Sequence, residues 1–164
     1  MIIPVCLQLM DVSDTVTLNT PVTFNYQAVP GLDLSNRNKV EFSVQAASDA
    51  HVMLYMKSGG VFEVVIGAYG NQKTIVRRSR AGTDLVSVDG SSLSASEFRT
   101  FVLDWSTPQI LKLYHKSSSG ELTQILETPK QPESVLDIER MGVSTYTCTG
   151  IFKIKVSSCP RPPL

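Results

Sequence analysis

Apolar and polar residues alternate strictly in run after run of this chain, and that period of two restricts its fold more than any other feature. Val40, Phe42, Val44 and Ala46 alternate with Lys39, Glu41, Ser43 and Gln45. Such a repeat puts successive side chains on opposite faces of an extended strand, one buried and one wet. After a break at 48–50 the apolar positions resume with Val52, Leu54 and Met56, then Phe62, Val64 and Ile66. Phe101, Leu103 and Trp105 face away from Thr100, Val102 and Asp104, and Phe152, Ile154 and Val156 alternate with Lys153 and Lys155. Turn-forming stretches separate the runs: "SGG" at 58–60, "AYGN" at 68–71, "RAGTD" at 80–84, "VDGSS" at 88–92 and "SSSGE" at 117–121. Their spacing of about ten residues indicates an all-β sandwich or barrel. The runs predict two packed antiparallel sheets, with Phe42, Val44, Leu54, Phe62, Val64, Leu103, Trp105 and Phe152 in or near the core. No long segment has a period of 3.6.

The 164 residues are read as a single domain, 1–164, with a sizeable core and a proline-containing tail at 160–164. Fifteen basic and fifteen acidic side chains cancel, so net charge does not point to nucleic acid or an anionic membrane as partner. No apolar run approaches the roughly 18 residues of a membrane span. The opening "MIIPVCLQLM" is apolar but short and without a basic residue; it is read as a first strand, with a truncated leader as the alternative. Cys6, Cys148 and Cys159 lack the spacing of a zinc or redox site. Buried thiols are one reading. A disulfide between Cys6 and Cys159, one near each terminus, is the other; it would imply an oxidising, secreted setting.

The chain contains no G-x-G, no P-loop and no G-x-S-x-G, so the sequence calls for no nucleotide cofactor and no serine-hydrolase elbow. His51 and His115 both sit in alternating segments, and neither has metal-ligand spacing with another histidine. Asp49, Asp84, Asp89 and Asp104 stand near strand ends, where carboxylates serve either turns or a calcium ion; no calcium-loop motif surrounds them. Lys73, Arg77, Arg78 and Arg80 form a basic cluster. On a continued strand Arg78 and Arg80 would share one face with Arg77 opposite, open to an anion or to ion pairs with nearby acids.

The most distinctive stretch is "VFEVVIGAYGNQKTIVRR" at 61–78. It reads as strand, turn, strand: Val61 to Gly67, a positive-φ corner at Gly70-Asn71, then Lys73 to Arg78. The absence of a helix after the glycines argues against a phosphate cradle. The turn accounts for neither the aromatic at Tyr69 nor the arginine at Arg77. Glu63, Tyr69, Asn71 and Arg77 are therefore the candidate ligand-binding residues, since an aromatic ring beside an amide and a charge equips a rim for a sugar or other polar ligand. The alternative is structural: Arg77 pairs with Glu63 across the hairpin, Asn71 bonds the local backbone and Tyr69 caps the core.

Four segments, "FSVQAASDAHVMLYM" at 42–56, "FEVVIGAYGNQKTIVRR" at 62–78, "FRTFVLDW" at 98–105 and "MGVSTYTCTGIFKI" at 141–154, resemble the farnesoic acid O-methyltransferase-like domain family. The resemblance covers about 39–156. Glu63, Ile66-Gly67, Tyr69, Asn71 and Arg77 match the family's most specific segment. Ala68, Tyr69 and Phe152 depart from it, where the family often has glycine, tryptophan and tryptophan; a family glycine is also missing near Lys112 and Leu113. The resemblance implies a jelly-roll sandwich of laminin-G or legume-lectin type. Its name implies methylation of farnesoic acid in juvenile-hormone synthesis, with S-adenosylmethionine as donor, yet no cofactor loop is recognisable. The favoured expectation is a non-catalytic recognition module for carbohydrate or a protein partner. An enzyme acting on a terpenoid acid and a structural domain of a larger assembly are the alternatives.

Overall fold

The computed structural model describes residues 15–156. The apolar opening stretch, Cys6, Cys159 and the proline-containing tail lie outside the described residues. Twelve strands follow in order: β1 (Thr15–Thr20), β2 (Gln27–Ala28), β3 (Lys39–Ala46), β4 (Ala50–Met56), β5 (Val61–Gly67), β6 (Lys73–Arg77), β7 (Asp84–Asp89), β8 (Arg99–Asp104), β9 (Lys112–Lys116), β10 (Leu122–Glu127), β11 (Ile138–Thr145) and β12 (Gly150–Lys155). They form two six-stranded sheets. Sheet A has the order β1-β12-β3-β8-β9-β10 and sheet B the order β2-β11-β4-β5-β6-β7. Neighbours in both sheets pair antiparallel. The fold is thus an antiparallel jelly-roll sandwich, as the alternation and the resemblance predict.

The sheets pack through one large apolar cluster that includes all eight expected core residues. Phe42 stacks on Phe101 with ring centroids 5.8 Å apart, and Phe152 lies 6.5 Å from Phe42 on the other side. Burying a side chain of this size stabilises by about 3 kcal/mol at most. The outer face of sheet A is polar: Ser43 bonds Thr100 across β3 and β8, and Glu41 receives both Lys116 and Lys155.

The outer face of sheet B is different. Met53, Glu63, Val65 and Ile75 point away from the core, yet all are buried. Strands buried on both faces lose the clean alternation of a half-wet sheet. Two segments cover this face: the strap at 21–26, between β1 and β2, and the loop at 78–83, between β6 and β7.

That loop corrects the reading of the basic cluster. β6 ends at Arg77, so Arg78 and Arg80 do not share a strand face. Arg78 turns to the core side, with its guanidinium 4.6 Å from the Phe62 ring centre and an ion pair to Glu133. Arg80 swings over the outer face onto the Phe24 ring, at 4.5 Å.

Candidate functional site

The candidate site lies where three connections meet at one end of sheet B: β3–β4 and β11–β12, which cross between the sheets, and the β5–β6 turn. The β5–β6 turn (Ala68–Asn71) is unusual. Tyr69, Gly70 and Asn71 have φ of 53°, 69° and 65°, three residues in succession in the left-handed region. Glycine adopts this freely, but at a tyrosine it costs about 1 kcal/mol or more. The Tyr69 side chain stands out in solvent, 63% exposed. Gly67 opens the turn at φ 69°; a Cβ there would lie 2.6 Å from Leu93. Leu93 is held by Asn71, whose Nδ2 donates to Leu93 O at 3.0 Å and whose Oδ1 accepts from the amides of Ser92 and Leu93.

A cavity of about 620 Å³ opens between these turns. Its floor includes His51 of β4 and Val65 of β5, which face each other across the strands. Phe24 of the strap and Ala81 of the loop wall the inner side, and Tyr69, Tyr146 and Thr147 form the rim. β11 and β5 flank β4, so Tyr146 and Tyr69 stand on opposite sides of His51. Tyr146 is 54% exposed, and its ring meets Phe24 edge-on at 5.9 Å. Asp49, at φ 52°, lies on the rim, where its Oδ2 accepts from Thr147 at 2.8 Å.

Beneath the cavity is a buried polar network. Glu63, fully buried, accepts from Tyr26 Oη at 2.6 Å and from the Ala81 amide at 2.9 Å. Arg77 Nη1 lies 3.4 Å from Glu63 Oε1, and its Nε donates to Asp84 at 2.8 Å. Burial first, then the hydrogen bond and charge of Glu63, push the Tyr26 phenol far above the usual tyrosine range. The single hydroxyl proton of Tyr26 is therefore committed to Glu63. His51 Nδ1, 3.4 Å from the same oxygen, must supply the proton of that contact. With Nδ1 as donor, Nε2 is the acceptor nitrogen of the ring. Burial holds His51 below its ordinary value, against the opposite pull of Glu63 and Asp49. The imidazole is accordingly neutral at pH 7.

Of the four residues singled out in sequence, Tyr69 and Arg77 line the cavity, Glu63 lies under it, and Asn71 turns away to anchor the 92–93 backbone. Phe24, Tyr26, His51 and Tyr146 complete the site and had no motif to mark them. The available signal was that Met53 and Val65 put apolar side chains on the outer face of β4 and β5, which implies a covering segment over it. The candidate calcium acids are spread out: Asp84 pairs with Arg77, Asp89 with Lys73, and Asp104 bonds Ser106. No group of metal-ligating side chains forms among the described residues. No helix among them is long and apolar enough to cross a membrane. A second cavity, of about 450 Å³, lies at the opposite end of the sandwich beside Arg37 and Trp105.

Among solved structures the chain is similar to a native glycosidic hydrolase (TM-score 0.54, 9% identity, covering 89% of this chain and 80% of that one). It is also similar to a galectin of Caenorhabditis elegans (0.50, 12%, 87% and 96%) and a seed lectin of Lotus tetragonolobus (0.50, 10%, 93% and 96%). At these identities the likeness is one of fold. No curated protein matches the chain in sequence. The family model described as "Farnesoic acid 0-methyl transferase" matches residues 20–158. That match begins well before the four segments at 42–154, taking in the strap that walls the cavity, and the chain belongs to this family.

Proposed function

We propose that this chain is a recognition module that binds carbohydrate in the cavity at the end of sheet B. The observation that carries the reading is the pair of exposed tyrosines, Tyr69 and Tyr146, on either side of His51 at the floor of the cavity. Sugars present apolar ring faces and a fringe of hydroxyl groups. Aromatic rings meet the first, and acceptors such as His51 Nε2 and Asp49 meet the second. The left-handed backbone that keeps Tyr69 exposed is a cost that packing alone does not require. The lectin, galectin and glycosidic hydrolase among its structural neighbours share the sandwich, and their names agree with a saccharide ligand.

Methyl transfer to farnesoic acid, the activity in the family's description, is a poorer fit. The basic group lining the cavity is Arg77, and it already faces Glu63 and Asp84. The carboxylate of farnesoic acid or of S-adenosylmethionine would be a third acid on one guanidinium. The test is a printed oligosaccharide array probed with the wild-type chain, alongside calorimetric titration with S-adenosylmethionine and with farnesoic acid. Saturable glycan capture supports the reading. Micromolar binding of the methyl donor with no glycan retained replaces it with the enzymatic one.

A further inference from the structure

We infer that the cavity is a blind end-site with an excess of acidic groups that admits only the terminal unit of a neutral saccharide. The inference rests on the carbohydrate reading above and adds the class of saccharide.

Two segments from opposite edges of sheet B meet over Glu63 and close the outer face behind the cavity. From one edge comes the strap. Its Asn25 amide donates to Ser144 Oγ at 3.0 Å on β11, and its Tyr26 hydroxyl reaches Glu63 on β5. From the other edge comes the 78–83 loop, whose Ala81 amide donates to the other oxygen of Glu63. Arg80 joins the two directly: its guanidinium stacks on Phe24 and its Nη2 donates to Phe24 O at 2.8 Å. The result is a crossbar over the middle of the sheet. Met53 and Glu63, two register positions further along the strands than His51 and Val65 and on the same face, are buried beneath it. A polymer lying along an open sheet face needs a groove with two exits. Here one exit is shut, and a cavity of about 620 Å³ has the size that encloses a compact ligand, roughly 300–1,000 Å³, rather than a chain.

Charge narrows the class further. Three carboxylates, Asp49, Glu63 and Asp84, surround or underlie the cavity against two guanidinium groups, Arg77 and Arg80. Arg77 is shared by two of the acids, and Arg80 stacks on Phe24 and donates to its carbonyl. A sialylated, sulfated or uronic ligand would bring negative charge to a site where carboxylates already outnumber guanidinium groups.

The test is an array carrying each neutral oligosaccharide in three forms: with its terminal unit free, with that unit blocked, and as an internal repeat of a long polymer. Sialylated and sulfated counterparts stand beside them. The expected result is capture of free-ended neutral forms, with at least tenfold loss on blocking the end or adding an acid. Equal or stronger capture of internal repeats or of acidic forms overturns this inference and leaves the carbohydrate reading standing; capture of no glycan removes both. A second variant probes the crossbar. Arg80→Ala, at an exposed position, is expected to admit internal repeats that the wild type rejects. An unchanged preference in a folded Arg80→Ala chain overturns the role given to the crossbar.

Discussion

Replacing Tyr26 by phenylalanine removes one oxygen and leaves the ring in place. That oxygen donates to a fully buried carboxylate at 2.6 Å, a short charge-assisted bond. Glu63 keeps the Ala81 amide and the Arg77 guanidinium but loses its shortest donor. A hydrogen bond to a charged group contributes about 1.5–3 kcal/mol. For a chain of this size each kcal/mol moves Tm by about 2–4 °C, so the expected fall is about 3–12 °C. Urea unfolding followed by tryptophan fluorescence reads the same loss as a lower midpoint at unchanged slope. A cycle with Glu63→Gln should be clearly non-additive, because both changes break one contact. A Tyr26→Phe chain within about 0.5 kcal/mol of wild type would refute the account of the network, since that is the range of surface substitutions without a buried partner.

Thr74 Oγ1 is buried without a hydrogen-bond partner, so Thr74→Val should raise stability by about 1 kcal/mol in the same urea assay. Asn71→Ala should cost about 1–3 kcal/mol, because it frees the 92–93 backbone and puts alanine at φ 65°, whereas Tyr69→Ala should leave Tm nearly unchanged. Burial depresses the folded pKa of His51 below the unfolded value of 6.5, so the unfolded state takes up a proton first on acidification. Its contribution is fully present above about pH 6.5 and is lost as pH falls towards the folded pKa; His51→Asn should flatten the stability profile between about pH 7 and 5. Cys6 and Cys159 remain a proposed disulfide. β1 and β12 pair with Thr15 opposite Lys155, which brings the two ends of the described chain to one sheet edge; an unreduced intact mass two daltons below the reduced form, with Cys148 as the one alkylated thiol, would establish the bond.

The sandwich was legible because Phe42, Val44, Phe62 and Val64 repeat at the period that burial on one face imposes. The turn at 68–71 was legible too, from its glycines and asparagine, although its three successive left-handed residues were not. Sequence could not show how the outer face of sheet B is covered. Val22, Phe24 and Tyr26 alternate like an ordinary edge strand, and only the fold lays Phe24 and Tyr26 over β4 and β5. Arg80 misled for a related reason: strand alternation was carried past Arg77, where the chain leaves the sheet. Glu63 and Arg77 could be paired from the hairpin register alone, but Tyr26, 37 positions before Glu63, is brought there by tertiary structure.

The most direct test is calorimetric titration of the best-captured neutral oligosaccharide from the array into wild type, Tyr69→Ala and Tyr146→Ala. The account predicts one saturable site in the wild type. Each tyrosine variant should bind about tenfold more weakly, a change of about 1.4 kcal/mol, with Tm unaltered. Wild-type affinity in both variants, or no heat of binding from any saccharide, would contradict it.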